Sequence, residues 1–299
     1  MNKKDSKKMR EVMRYIKTDI PVRDPYVLVD GGKYYLYGTR VETCWGYADG
    51  FDVYVSEDLE HWSDAIEVFH NNGDFWADQN YWAPEVHSYM GAYYMFASFK
   101  KENVARGTQI LCSESPLGPF LPISEGPITP REWECLDGTL YVDRNQQPYI
   151  VFCHEWQQIG NGTMCAMKLS KDLTTAISEP WVLFDAKSTG WTKSIDGDNS
   201  YVTDGPFLQR MEDGSLVMLW SSHGEEGYAQ ALARSTNGEI DGLWQQDKEL
   251  IFSKNGGHGM VFKSLQGEPM LTIHMPNKTP DERAAFFPIV EENGTYKLI

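Results

Sequence analysis

The chain has 299 residues, 41% of them hydrophobic and 23% charged, an ordinary composition for a globular protein long enough to bury a sizeable core. Its formal net charge is −16, from 43 acidic against 27 basic residues. No basic stripe interrupts that field, which would repel a phosphate backbone and so excludes a nucleic-acid partner.

Residues 1–19 are polar and read as an N-terminal extension, a short helix or loose chain. They begin with basic residues, but no apolar segment of a secretion signal follows. Elsewhere no apolar run approaches the roughly 18–20 residues that span a bilayer, so no membrane partner is expected. The five cysteines, Cys44, Cys112, Cys135, Cys153 and Cys165, show no CxxC or zinc spacing. These features predict a reduced, cytoplasmic protein.

From residue 20 onward a pattern recurs five times. The strand GGKYYLYGT (31–39) is followed by MGAYYMFAS (90–98), QQPYIVFCH (146–154), DGSLVMLWS (213–221) and QGEPMLTIH (266–274). Their turn residues Gly32, Gly91, Gln146, Gly214 and Gly267 are spaced 59, 55, 68 and 53 apart. A period of that length, with several short strands per unit, predicts an all-β, five-bladed β-propeller filling residues 20–299. Blade one runs from 20 to about 62, with Asp30-Gly31-Gly32 as a hairpin turn. A long connection over 61–81 leads to blade two at 82–120. Blade three covers 135–177, blade four 201–244, and blade five 256 to the end.

Ahead of the five strands stand Asp24, Glu85, Asp137, Asp204 and His258, preceding their turns by 8, 6, 9, 10 and 9 positions. The innermost strand of each propeller blade starts at one end of the central channel, so these side chains are expected to converge on one polar pit. A single Asp before Gly is ordinary turn chemistry. Four acids at repeat-equivalent places argue for a site.

Arg23-Asp24-Pro25, Trp82-Ala83-Pro84-Glu85, Leu136-Asp137-Gly138 and Asp204-Gly205-Pro206, in that order before apolar strands, resemble glycoside hydrolase family 43. The resemblance covers about residues 20–275. It implies a hydrolase of arabinose- or xylose-containing glycans, with an oligosaccharide as partner. Inverting hydrolysis needs one carboxylate to activate water and one carboxylic acid to protonate the leaving oxygen. The resemblance makes Asp24 the base, Asp137 the modulator of the acid's pKa, and Asp204 the acid.

Two positions depart from the family. Asp204 stands where a Glu is usual, and Glu85 where an Asp is usual. Either the pocket is adjusted to the shorter acid, or Glu85, Glu155, Glu225 or Glu226 supplies the proton, or the site only binds sugar. Trp76 and Trp82 are candidate sugar platforms. His154 and Glu155 are candidate rim contacts, and Arg283 falls where exo-acting members place a substrate-binding arginine. His258 is a central histidine beside which some members hold calcium or another cation; no cofactor is otherwise required. The expected activity is exo-acting and α-L-arabinofuranosidase-like. β-Xylosidase, β-galactofuranosidase, endo-arabinanase and a catalytically weak sugar-binding propeller are the alternatives.

Overall fold

A computed structural model describes residues 15–299. It is a five-bladed β-propeller. Blades one to four are four-stranded antiparallel sheets whose strands follow chain order from the axis outward. Their innermost strands are Val22–Asp30, Gln79–Tyr89, Cys135–Val142 and Asp204–Arg210. Blade five is built on Gly257–Lys263, Pro269–Met275 and Arg283–Glu292.

The predicted hairpin of blade one is present. Asp30 pairs with Lys33 across Gly31 and Gly32, whose φ angles are 54° and 75°. A two-residue turn with both φ positive matches the twist of the flanking strands. Blade one, however, continues past residue 62. Its outer strand Ile66–His70 pairs with Gly50–Ser56 inside the stretch expected as a connection.

Part of the expected N-terminal extension also belongs to the propeller. Ile16–Lys17 pairs with Phe286 and Ala285, and Tyr15 stacks on Phe287 at 4.8 Å. Ile16–Lys17 and the strand Thr295–Leu298, which pairs with residues 289–292, thus complete the last blade together and cover backbone groups of Arg283–Glu292 that would otherwise be unpaired. Residues 1–14 lie outside the described residues. No helix among the described residues is long and apolar enough to cross a membrane.

Alternating apolar residues of facing sheets form the core between blades. Phe99 centres one aromatic cluster, with Phe75 and Tyr81 both 4.8 Å away and edge-on. Such pairs contribute about 0.5–1.5 kcal/mol each beyond their buried area.

The innermost strands share a local irregularity that shapes the site. Each has a register shift near its start, spanning one left-handed residue: Asp24, Ala83, Asp137, Gly205 or His258, with φ between 46° and 54°. For a residue other than glycine this costs roughly 1–3 kcal/mol. A girdle of hydrogen bonds between blades holds these five residues in place. Ala83 N–H donates to Thr39 Oγ1 at 2.8 Å, Asp137 N–H to Ser98 Oγ at 2.8 Å, and His258 N–H to Ser221 Oγ at 2.7 Å. Asp24 N–H donates to His274 Nδ1 at 3.1 Å, and Gly205 N–H to Asp137 Oδ2 at 3.0 Å. The bulges of blades one, three and five turn the Asp24, Asp137 and His258 side chains toward one end of the channel.

Candidate active site

That end of the channel is a pit of about 340 Å³, with Asp24, Asp137, Asp204 and His258 in its wall. Asp24 is buried. Its Oδ2 accepts the Thr39 hydroxyl at 2.6 Å, and its Oδ1 lies 3.1 Å from His258 Nδ1. The same imidazole nitrogen is 3.8 Å from Asp137 Oδ2, so His258 stands between two carboxyls. Asp204 Oδ2 accepts the Tyr228 hydroxyl at 2.8 Å. Gly205 permits the close approach of blades four and five. A Cβ there would lie 2.6 Å from His258 Cδ2, at a φ of +53°.

The three aspartates are driven apart electrostatically. Burial works to raise Asp24, but the positive charge of His258 and Arg23 and the Thr39 hydrogen bond outweigh it and hold the carboxyl below its ordinary range. Asp137 goes the other way. Burial raises it, the His258 charge opposes, and the neighbouring Asp204 and Asp24 carboxyls push it further up. Asp204 is raised as well, chiefly by burial, against the pull of His258 and of the Tyr228 hydrogen bond. Burial lowers His258, yet Asp24, Asp137, Asp204 and Glu85 together raise it above an ordinary histidine.

His274 is pushed down to about 3 by burial and the Arg23 charge. It is therefore neutral at working pH, and its Nδ1 must be the acceptor for Asp24 N–H. Its proton sits on Nε2, facing Asn277 Oδ1 at 3.1 Å. A carboxyl pushed down beside carboxyls pushed up in one pit is the pattern that separates a general base from a general acid.

The model for glycosyl hydrolases family 43 matches residues 19–290. The chain belongs to that family. An endo-arabinase from Bacteroides thetaiotaomicron VPI-5482 is 41% identical, with a TM-score of 0.86 over 93% of this chain and 97% of that one. An extracellular endo-α-(1→5)-L-arabinanase from Bacillus subtilis (strain 168) is 24% identical over 151 residues, 46% of this chain. The match spans 45% of that curated relative's length. The α-L-arabinofuranosidase from Lactobacillus brevis, 18% identical with a TM-score of 0.74 over 92% of this chain and 93% of that one, shares the fold. Family 43 membership makes the protein a glycosidase of O-glycosyl bonds with a glycan substrate. The Bacillus relative also corrects the cytoplasmic placement expected from the chain's start, since that enzyme is extracellular. The expected exo action finds no support in the Bacteroides and Bacillus relatives, both of which are endo-acting.

Within this family 43 fold, the candidate residues divide. Asp24, Asp137, Asp204, His258, Trp82 and Glu155 all line the pit. Glu155 is buried, with Oε2 3.4 Å from Arg106 Nε, and burial raises its pKa against the opposing Arg106 charge. Arg106 in turn lies 3.6 Å from the Trp82 ring centroid.

Glu85 is not in the wall. It sits two residues beyond Ala83, the true counterpart of Asp24. There it accepts the Thr139 hydroxyl at 2.5 Å and meets His87 Nε2 at 3.2 Å. Trp76 packs near Phe75 and Phe99 and donates to Gln109 Oε1 at 2.6 Å. His154 stacks on Trp133 at 4.3 Å and is tied to Gln158, outside the pit. Arg283 bonds the carbonyls of Pro280 and Glu282, again outside. Glu225 pairs with Lys193 on the surface.

The arginine in the pit is Arg23, held by Glu282 at 2.6 Å. Sequence reasoning passed over it, although it adjoins Asp24. Trp45, His223 and Tyr228 are further wall residues that were not singled out as site candidates. Among the described residues, no group of three or more His, Cys, Asp or Glu side chains is arranged to hold a metal ion. His258 Nδ1 faces the carboxyls of Asp24 and Asp137.

Proposed function

We propose that this protein is an inverting glycosidase that cleaves α-L-arabinofuranosyl linkages within arabinan. The observation that carries the reading is that Asp24 and Asp204 line one pit in different surroundings, Asp24 against the His258 imidazole and Asp204 against the Tyr228 hydroxyl, and that their pKa values are displaced in opposite directions. Asp24, ionised, takes a proton from a water molecule, whose oxygen attacks the anomeric carbon. Asp204, protonated, gives its proton to the departing glycosidic oxygen. Asp137, whose Oδ2 accepts the Gly205 N–H, fixes the strand that carries Asp204 and so positions the acid. His258 holds Asp24 in place. Arg23, Glu155 and Trp82 contact the sugar.

Arabinan is supported by the 41% identity to the Bacteroides endo-arabinase and by the Bacillus relative. A second reading, release of single terminal arabinofuranose units, is favoured by the shape of the pit. All five blades contribute to its wall, and its volume lies near the lower end for ligand pockets. Digestion of linear α-1,5-arabinan tests both. An early ladder of oligosaccharides marks internal cleavage, whereas arabinose alone marks terminal release. Proton NMR during the first turnovers should show the inverted anomer. A retained anomer, or no turnover of any furanoside or xyloside, would sink the proposal.

A further inference from the structure

We infer that Tyr228 is a positioning residue for the acid: it occupies one oxygen of Asp204 so that the transferable proton sits on the other. The inference rests on the reading of Asp204 as proton donor. The tyrosine is almost fully buried, at 1% exposure, on the third strand of blade four, Gly227–Ser235. Its hydroxyl meets Asp204 Oδ2 at 2.8 Å, and Asp204 is the one hydrogen-bond partner of that hydroxyl among the described residues. The phenolic proton is therefore directed at Oδ2. A carboxylic acid whose Oδ2 already accepts a hydrogen bond carries its own proton on Oδ1. A side chain one methylene shorter than glutamate has fewer rotamers through which to present a proton. Fixing the protonated oxygen compensates for that loss of reach.

The tyrosine is itself held by a group tied to the base. Its ring stacks on His274 at 5.6 Å and 15°. His274 is fully buried and accepts Asp24 N–H. One aromatic stack thus fixes Asp24 from behind and Asp204 from the side. Pit geometry on both sides of the sugar is set by blade four packing on blade five.

Tyr228 also favours the ionised form of Asp204, because its hydrogen bond is stronger to a carboxylate than to a carboxylic acid. The other ionisable groups around Asp204 are Asp24 of blade one, Asp137, Cys153 and Glu155 of blade three, His223 of blade four and His258 of blade five. All of them remain when the hydroxyl alone is removed. Tyr228→Phe keeps the ring on His274 and deletes only that donor.

Two measurements on the full chain test the inference. On arabino-oligosaccharides, Tyr228→Phe should lose roughly tenfold in kcat, with KM within about twofold. The alkaline limb of its kcat–pH profile should move to higher pH, while turnover of a dinitrophenyl arabinofuranoside, which needs no proton, is retained. Placing 3-fluorotyrosine at 228, a stronger donor, should move the alkaline limb the opposite way, and it serves as the test if the Phe variant does not fold. An unchanged alkaline limb in the folded variant overturns the positioning role and leaves the acid assignment intact. If Asp204→Asn itself spares oligosaccharides, the acid assignment falls and this inference falls with it.

Discussion

Gly205 donates its backbone N–H to Asp137 Oδ2 at 3.0 Å, and the bond exists because blade three breaks the pattern of its neighbours. In the other blades the girdle acceptor comes from the second strand: Thr39, Ser98, Ser221 or His274. The residue in register at that place in blade three is Cys153, paired with Leu136. A thiol is a weak acceptor, so the Gly205 N–H turns to the carboxyl instead. The strand that carries Asp204 is thereby tied directly to Asp137.

Cys153→Ser should therefore be more than a conservative change. A serine hydroxyl at this position would compete for Gly205 N–H, as Ser98 and Ser221 do in their blades. Asp137 would lose a donor that stabilises its ionised form, and its already raised pKa would rise further. The expected outcome is a severalfold fall in kcat with little change in melting temperature. Kinetics identical to the parent across pH 5–9 would mean that Asp137 keeps the bond.

Asp24 and Asp204 are separable by leaving group. Asp24→Asn should reduce turnover by about 10²–10⁴ on every substrate, since the attacking water needs its base in each case. Asp204→Asn should cripple arabino-oligosaccharides yet spare dinitrophenyl arabinofuranoside, because dinitrophenolate departs without a proton. Equal loss on both substrates would move the acid to another residue, and Glu155 is the remaining glutamate in the pit wall.

Much of this arrangement was legible in the chain. The recurring turns disclosed five blades, and three acids and a histidine were placed correctly in one pit. The register was misjudged in two blades. Asp204 and Glu85 precede their turns by 10 and 6 positions, whereas Gly205 and Ala83 precede theirs by 9 and 8, like Asp24, Asp137 and His258. Even spacing identifies the left-handed position, but glycine and alanine carry no chemistry to draw attention to it. Trp76 could not be told from Trp45 by local sequence. Whether an indole faces sugar or core depends on the blade packed against it, and Trp76 found Phe99. The two-residue strand Ile16–Lys17 is too short to show periodicity, and its partner lies at the far end of the chain.

Asp137 carries a stability cost that pH should expose. Its folded pKa is raised above the unfolded value, so the folded protein holds a proton there that the unfolded chain releases. Stability from this group is full below the ordinary aspartate pKa and is lost as pH rises through the elevated folded value. Asp137→Asn removes the buried negative charge, and its amide oxygen can still accept Gly205 N–H. The variant should be inactive or nearly so, yet more stable than the parent by on the order of 1 kcal/mol at pH 8. The gain should shrink toward pH 4. Melting curves across that range check the sign, and a variant destabilised at pH 8 would show that Asp137 is ionised and well paired.

Trp45 bears on how much glycan the enzyme grips. It lines the pit yet is 60% exposed, and neighbouring Tyr47 is 68% exposed. The indole is not loose. Its Nε1 donates to Thr279 Oγ1 at 3.0 Å, its ring meets Trp82 edge-on at 5.3 Å, and the Arg23 guanidinium lies 5.5 Å from its centroid. An exposed aromatic face held this firmly costs little entropy to use as a stacking surface for a sugar ring. If the chain of the substrate runs over it, Trp45→Ala should lower kcat/KM on linear arabinan roughly tenfold, about 1.4 kcal/mol. On a nitrophenyl arabinofuranoside, which ends within the pit, the change should stay within about twofold. Equal losses on both substrates would place Trp45 at the cleaved sugar instead. No loss on either would reduce it to a surface side chain that braces Trp82.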